Sequence, residues 1–246
     1  MSLGRLVYRS FVDLVDIPAL VVALLLIYIV NFFVAVPLLS ATADALSTYI
    51  FTGSFLKASY AFFTSLKDPI TLLSFLLVLF FNTYLLGFLI ARLWQKRTGE
   101  ALNPFVVALK KIVHVFLVSI FVSSLPAIFL ILYLVQQAVP PWNTLWLALT
   151  ILSLVTWVPL SLPVLTTVVV EKGRGRDLVY EGLLAGKVYW WKNLVVLLLG
   201  SIVFYLLALL LAPVPAVITS TLISSLEFIL LAAVAVESYY GFKHGE

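Results

Sequence analysis

From residue 17 to residue 39 the chain carries no charged side chain, and about 20 such residues are enough for a helix to cross the roughly 30 Å hydrocarbon core of a bilayer. Runs of the same kind recur over residues 70–91, 115–135, 145–170 and 194–211, and one over 218–236 is interrupted by Glu227 alone. Six of them in 246 residues, with 63% hydrophobic residues, 11% charged residues and a mean hydropathy of +1.17, exceed what one soluble core can hide beneath a polar exterior. The chain therefore reads as an all-α integral membrane protein. Its fold class is six transmembrane helices arranged as three hairpins, in one polytopic domain over residues 1–246.

Before three of these runs lies a helix-prone basic segment. Residues 171–193 carry eight charges, and weaker counterparts occupy residues 3–16 and 103–114. Each reads as a short amphipathic elbow on the cytoplasmic side, ahead of its hairpin. In the first, Arg5, Arg9, Asp13 and Asp16 form one charged helical stripe, with Leu3, Leu6, Val7, Phe11 and Leu14 on the other side, a pattern expected to lie in the membrane interface. In the second, Asn103 is placed to cap a helix and Pro104 to take its first position. Residues 41–68 mix Asp44, Lys57, Lys67 and Asp68 with many aromatics and read as an external amphipathic segment or re-entrant turn. The Ala41-Thr42-Ala43 triplet looks like a signal cleavage site, but the run before it is too long and its flank too acidic, so an uncleaved span is expected.

The basic residues set the orientation. Thirteen of the fifteen Lys and Arg side chains fall on the side of the elbows, the 92–104 linker and the C-terminal tail, against Lys57 and Lys67 on the other. The positive-inside rule then places both termini in the cytoplasm, with the plasma membrane as the expected location. A net charge of +4 is explained by this distribution and does not point to nucleic acid.

Few groups could carry chemistry. Cysteine is absent, which removes disulfides, thiolate metal sites and cysteine nucleophiles. Glu227 is the one acid inside a run, with Ser220 and Ser224 on its helical face. A charge there costs about 2.5–3.5 kcal/mol, so it should face protein or water and be protonated or partnered. The two readings are a proton or cation site and a neutral acid bonded to a neighbouring helix, for instance to Asn31 or Asn82, with the second preferred. Asn31 and Asn82 themselves suit interhelical hydrogen bonds. His114 and His244 do not suggest a metal site. Gly182 and Gly186 form a G-x-x-x-G that permits close helix packing, preferably within the chain. Lys172, Arg174 and Arg176, with Lys110 and Lys111, are candidate contacts for anionic lipid headgroups. No H-E-x-x-H, G-x-S-x-G, Walker pattern or paired intramembrane aspartates occur, so no enzyme and no cofactor is expected.

Leu162, Pro163, Val170 and Glu171, then a short basic loop, then Glu181, Leu183, Gly186 and Lys187 before the next apolar run, make a pattern that resembles the membrane domain attached to some glycerophosphodiester phosphodiesterases and related six-helix membrane proteins of unknown function. The architectural likeness covers nearly the whole chain; the motif lies within residues 162–192. No soluble phosphodiesterase domain is present, so no catalytic residue carries over, and the resemblance implies a membrane module. The leading expectation is a non-enzymatic membrane scaffold that organises lipid or a partner, either another membrane protein or a second copy. The alternative is an ion- or proton-coupled transporter or channel using Glu227, with a hinge at Pro159 and Pro163.

Overall fold

A computed structural model of the chain describes residues 1–30, 35–135, 142–173 and 175–245, and no strand occurs among them. The helices are α1 (Leu3–Asp13), α2 (Ile17–Ile29), α3 (Ala35–Thr52), α4 (Phe55–Ser65), α5 (Pro69–Thr98), α6 (Pro104–Val135), α7 (Trp142–Ser161), α8 (Pro163–Val170), α9 (Gly175–Leu210) and α10 (Ala216–Lys243). Local chemistry sets many of their ends. Ser2 Oγ accepts from Arg5 N at the start of α1, and Asp16 Oδ1 accepts from Ala19 N at 3.1 Å at the start of α2. Asp68 caps α5 by accepting from Thr71 N and Thr71 Oγ1, both at 2.8 Å, and the first of these bonds is the main reason its carboxyl sits below the usual carboxylate range. Asn103 Oδ1 accepts from Val106 N ahead of Pro104. At the other end of α5, Gly99 stops the helix with φ 74°, a left-handed conformation that a side chain would oppose.

Five helical stretches are long and apolar enough to cross a membrane: α5, α6, Thr144–Val170 across α7 and α8, α9, and α10 from Ile218. The pair α1 and α2, bent by 60°, is a sixth candidate. Together they describe a membrane-embedded protein.

Several boundaries differ from those expected. The run 17–39 is divided between α2 and the start of α3, and residues 31–34 lie outside the described residues. Only the first elbow is a helix of its own. The second is the opening of α6, and the third, except Glu171 to Arg174, is the opening of α9, because neither sequence contains a Gly or Pro break between elbow and apolar run. Residues 41–68 form most of α3 and all of α4, joined at Gly53 with φ 62°. The expected C-terminal tail is helical, since α10 runs on through Lys243.

Packing centres on α10, which touches α1, α2, α5, α8 and α9. Ala232, Ala233, Val234, Ala235 and Val236 are fully buried there. Three alanines in five positions let neighbours approach from every side. The α1 helix packs against this same end: the Met1 amino group donates to Tyr189 Oη at 3.2 Å, and Lys192 Nζ donates to the Met1 carbonyl at 2.7 Å. The beginning of α1 and the end of α10 thus lie at one end of the bundle.

Candidate functional site

The charged residues at that end form a network across three helices. On α5, Arg92, Lys96 and Arg97 are four and one residues apart and share one flank. Lys96 Nζ lies 2.8 Å from Asp13 Oδ1 and 3.5 Å from Asp16 Oδ2, and Arg92 Nε lies 3.5 Å from Asp16 Oδ1. Arg97 Nη2 is 3.7 Å from Asp13 Oδ2 and forms an ion pair with Glu237 Oε1 of α10. Arg9 of α1 approaches the other oxygen of Glu237 at 3.5 Å, an ionic contact without hydrogen-bond geometry. Glu237 is 0% exposed and Asp13 2%, so these carboxylates are removed from water and depend on the cations around them. The charged stripe of α1, expected to lie in the membrane interface, is therefore divided. Asp13 turns inward with Leu6 and Ser10, while Tyr8 is exposed, because Lys96 and Arg97 of α5 offer charged partners there.

A second cluster adjoins it. Glu171 Oε1 pairs with Lys243 Nζ, and the Tyr239 hydroxyl lies 3.0 Å from that oxygen and 2.6 Å from Glu181 Oε1. A phenol has one proton, so it donates to one carboxylate at a time. Lys111 Nζ donates to the Glu171 carbonyl at 3.3 Å, satisfying a group at the end of α8. Between the clusters, Trp94 and Tyr240 wall a cleft of 240 Å³ that also includes Arg97, Glu100, Lys243 and His244.

Deeper in the bundle, the break between α7 and α8 is stabilised by α9. Pro163 has no N–H, so the carbonyl of Pro159 four residues earlier loses its helical donor. Asn193 Nδ2 supplies one at 3.0 Å, and Asn193 Oδ1 accepts from Ser238 Oγ at 2.6 Å. Asn193 and Ser238 are both 0% exposed. One amide thereby ties α7, α9 and α10 together. Gly182 and Gly186 lie against the same break. A Cβ at Gly182 would stand 2.8 Å from Val164 N, and one at Gly186 would overlap the Leu160 carbonyl.

The other sequence candidates are dispersed. Glu227 is exposed on the outside of the bundle, in an open cleft of 200 Å³ with Leu197, Ser201, Phe204, Leu230 and Leu231. No ion pair or hydrogen bond joins it to a described residue. Ser224 is half-buried and Ser220 exposed on the same helix. Asn82 is half-buried in α5 and makes no side-chain hydrogen bond among the described residues, whereas Asn31 and Arg174 lie outside them. Lys110, Lys172 and Arg176 are exposed; Lys111 is half-buried on the Glu171 carbonyl.

Glu237, Asn193, Ser238 and Tyr239 were not singled out by the sequence. For the last three of the four residues 236–239, the available signal was the absence of a helix breaker before Gly241. A cavity of 620 Å³ lies under α3 and α4 against Ile131 and Leu134, with walls such as Tyr49, Phe55, Phe62 and Phe63. It is almost wholly apolar and offers hydrocarbon contact with no group placed for chemistry. The chain matches no protein-family model, no curated protein and no solved structure, so the resemblance to the phosphodiesterase membrane domain rests on the residues quoted for it.

Proposed function

We propose that the chain is a non-enzymatic, six-span protein of the plasma membrane with both termini cytoplasmic, a scaffold whose basic end holds anionic lipid headgroups and positions a partner in the bilayer. The three-hairpin reading is supported by the way α1, the end of α5, the start of α9 and the end of α10 share one charged end. Each pair of crossings between those points returns the chain to the same side.

One observation favours a scaffold over a transporter. Five hydroxyls spread through the apolar helices are occupied by their own helix carbonyls, Ser119 on Val115, Thr150 on Trp146, Ser153 on Thr150, Ser161 on Trp157 and Ser225 on Thr221, and Thr166 Oγ1 of α8 is an isolated buried hydroxyl without a partner among the described residues. A hydroxyl bonded in this way has no donor left for a solute. Asn193 and Ser238 satisfy each other and the α7 break, and Glu227 faces outward. No series of unsatisfied polar groups lines a route through the described bundle.

The basic residues divide by role. Arg92, Lys96, Arg97 and Lys243 are engaged with internal carboxylates, whereas Lys110, Lys172 and Arg176 are exposed and available to phosphate. At about 1 kcal/mol per basic residue near a membrane surface, changing these three to glutamine is expected to weaken binding of an anionic phospholipid roughly 100-fold. Retention of phosphatidylglycerol by the purified protein in native mass spectrometry checks this. Reconstituted into phosphatidylglycerol-containing liposomes, the wild type is expected to pass no more protons than protein-free vesicles. Proton flux abolished by Glu227→Gln would replace the scaffold reading with the transporter.

A further inference from the structure

Glu227 stands about 15 Å along α10 from the buried Glu237, at roughly 1.5 Å per residue, and a similar distance from the start of the helix. It is thus near mid-depth, and Ser201 of α9, about 14 Å beyond Lys192, is at the same level. Intramembrane acids ordinarily face the bundle interior or a water-filled cavity, or pair with another polar group. Here the acid opens outward, and the remaining walls of its cleft are apolar. Lipid chains can fill such a cleft but provide no hydrogen-bond donor, and headgroups do not reach this depth.

We infer that the α9–α10 face pairs with the same face of a second copy, in parallel, so that each Glu227 carboxyl meets the Glu227 and Ser201 of the other copy. The inference rests on the membrane reading and goes beyond the lipid-holding role. Three observations support this occupant. Two copies inserted in the same direction hold equivalent residues at equal depth, so a two-fold axis along the membrane normal brings Glu227 to its own level without adjustment. The paired groups are chemically matched: a protonated carboxyl donates one hydrogen bond and accepts others, and the Ser201 oxygen, whose proton goes to the Leu197 carbonyl at 2.9 Å, keeps its capacity to accept one. The surrounding surface is suitable, because Leu198, Ile202 and Tyr205 are exposed along α9 and extend the apolar contact on either side of Ser201.

The chain contains no cysteine, so a disulfide in a single-cysteine variant joins two copies. Leu197→Cys places a thiol in the cleft, and Ile120→Cys places one on the exposed outer face of α6. In liposomes at equal dilution, mild oxidation is expected to give at least tenfold more covalent dimer from Leu197→Cys. Adding Glu227→Leu should lower that yield at least tenfold, whereas Glu227→Gln, which keeps a donor and an acceptor, should retain most of it. Equal yields from the two cysteine positions, indifference to Glu227→Leu, or linkage in native membranes only to a different protein would each overturn the inference. Flotation of every variant with the liposomes separates failure of the pairing from failure of the membrane reading.

Discussion

Replacing Gly186 with leucine is expected to abolish recovery of the folded protein, seen as loss of the monodisperse peak on size-exclusion chromatography in mild detergent. Gly186 of α9 lies directly on the carbonyl of Leu160, where the first side-chain carbon already overlaps backbone. A rotamer change cannot relieve such a clash, so α9 must move away from α7 and α8. That movement also removes Asn193 from the Pro159 carbonyl, leaving an acceptor freed by Pro163 without its donor. Overpacking of a core costs about 1–3 kcal/mol, and a buried orphaned polar group about as much again. Gly182→Leu should act in the same direction through Val164. By contrast Arg176→Gln, at an exposed position, should leave the peak intact. If Gly186→Leu and Arg176→Gln were equally tolerated, α9 would not pack as described.

The second large effect is expected at Glu237. In Glu237→Leu, Arg97 retains only Asp13 at 3.7 Å among its charged partners, and its Nε is already buried without an acceptor. Removing one partner of a buried pair costs about 3–5 kcal/mol, because the remaining charge keeps its desolvation cost and loses its compensation. For a protein of this size that lowers the Tm by roughly 6–20 °C, measurable by thermal unfolding in detergent. The double variant Glu237→Leu with Arg97→Leu should recover part of the loss. Recovery stays partial because Arg9 also faces Glu237 and Asp13 also faces Arg97. A double variant no better than the single one would show that the pair contributes packing and not charge compensation.

The long apolar runs made the class of fold legible, because such a run must be hidden from water wherever it sits. Charge spacing on α1 was legible as well, but its direction was not: which side of Asp13 counts as inside depends on Lys96 and Arg97, more than 80 residues away in sequence. Continuity was misjudged for a related reason. A change from polar to apolar composition at residues 114–115 or 193–194 looks like a boundary, yet a helix ends where its hydrogen bonding is interrupted, and nothing at those positions interrupts it. A similar change at Val236 marks the end of the last apolar run, so Glu237, Ser238 and Tyr239 read as a tail although α10 continues through them. Asn193 was invisible on its own, since its role follows from two prolines one turn apart on a different helix. The glycines of α9 were visible as a spacing, while the surface they touch required the three-dimensional arrangement.

The central claim is that the chain crosses the membrane six times and returns all its charged segments to one side. Because the chain has no native cysteine, single thiols can be introduced at Arg5, Glu100, Lys172 and His244, and at Thr52 and Pro213, all exposed. Each is then labelled in sealed, oriented vesicles with a membrane-impermeant maleimide. The first four are predicted to label from the cytoplasmic side and the last two from the other. Labelling of Arg5→Cys and His244→Cys from opposite sides, or of Thr52→Cys from the same side as Glu100→Cys, would contradict it.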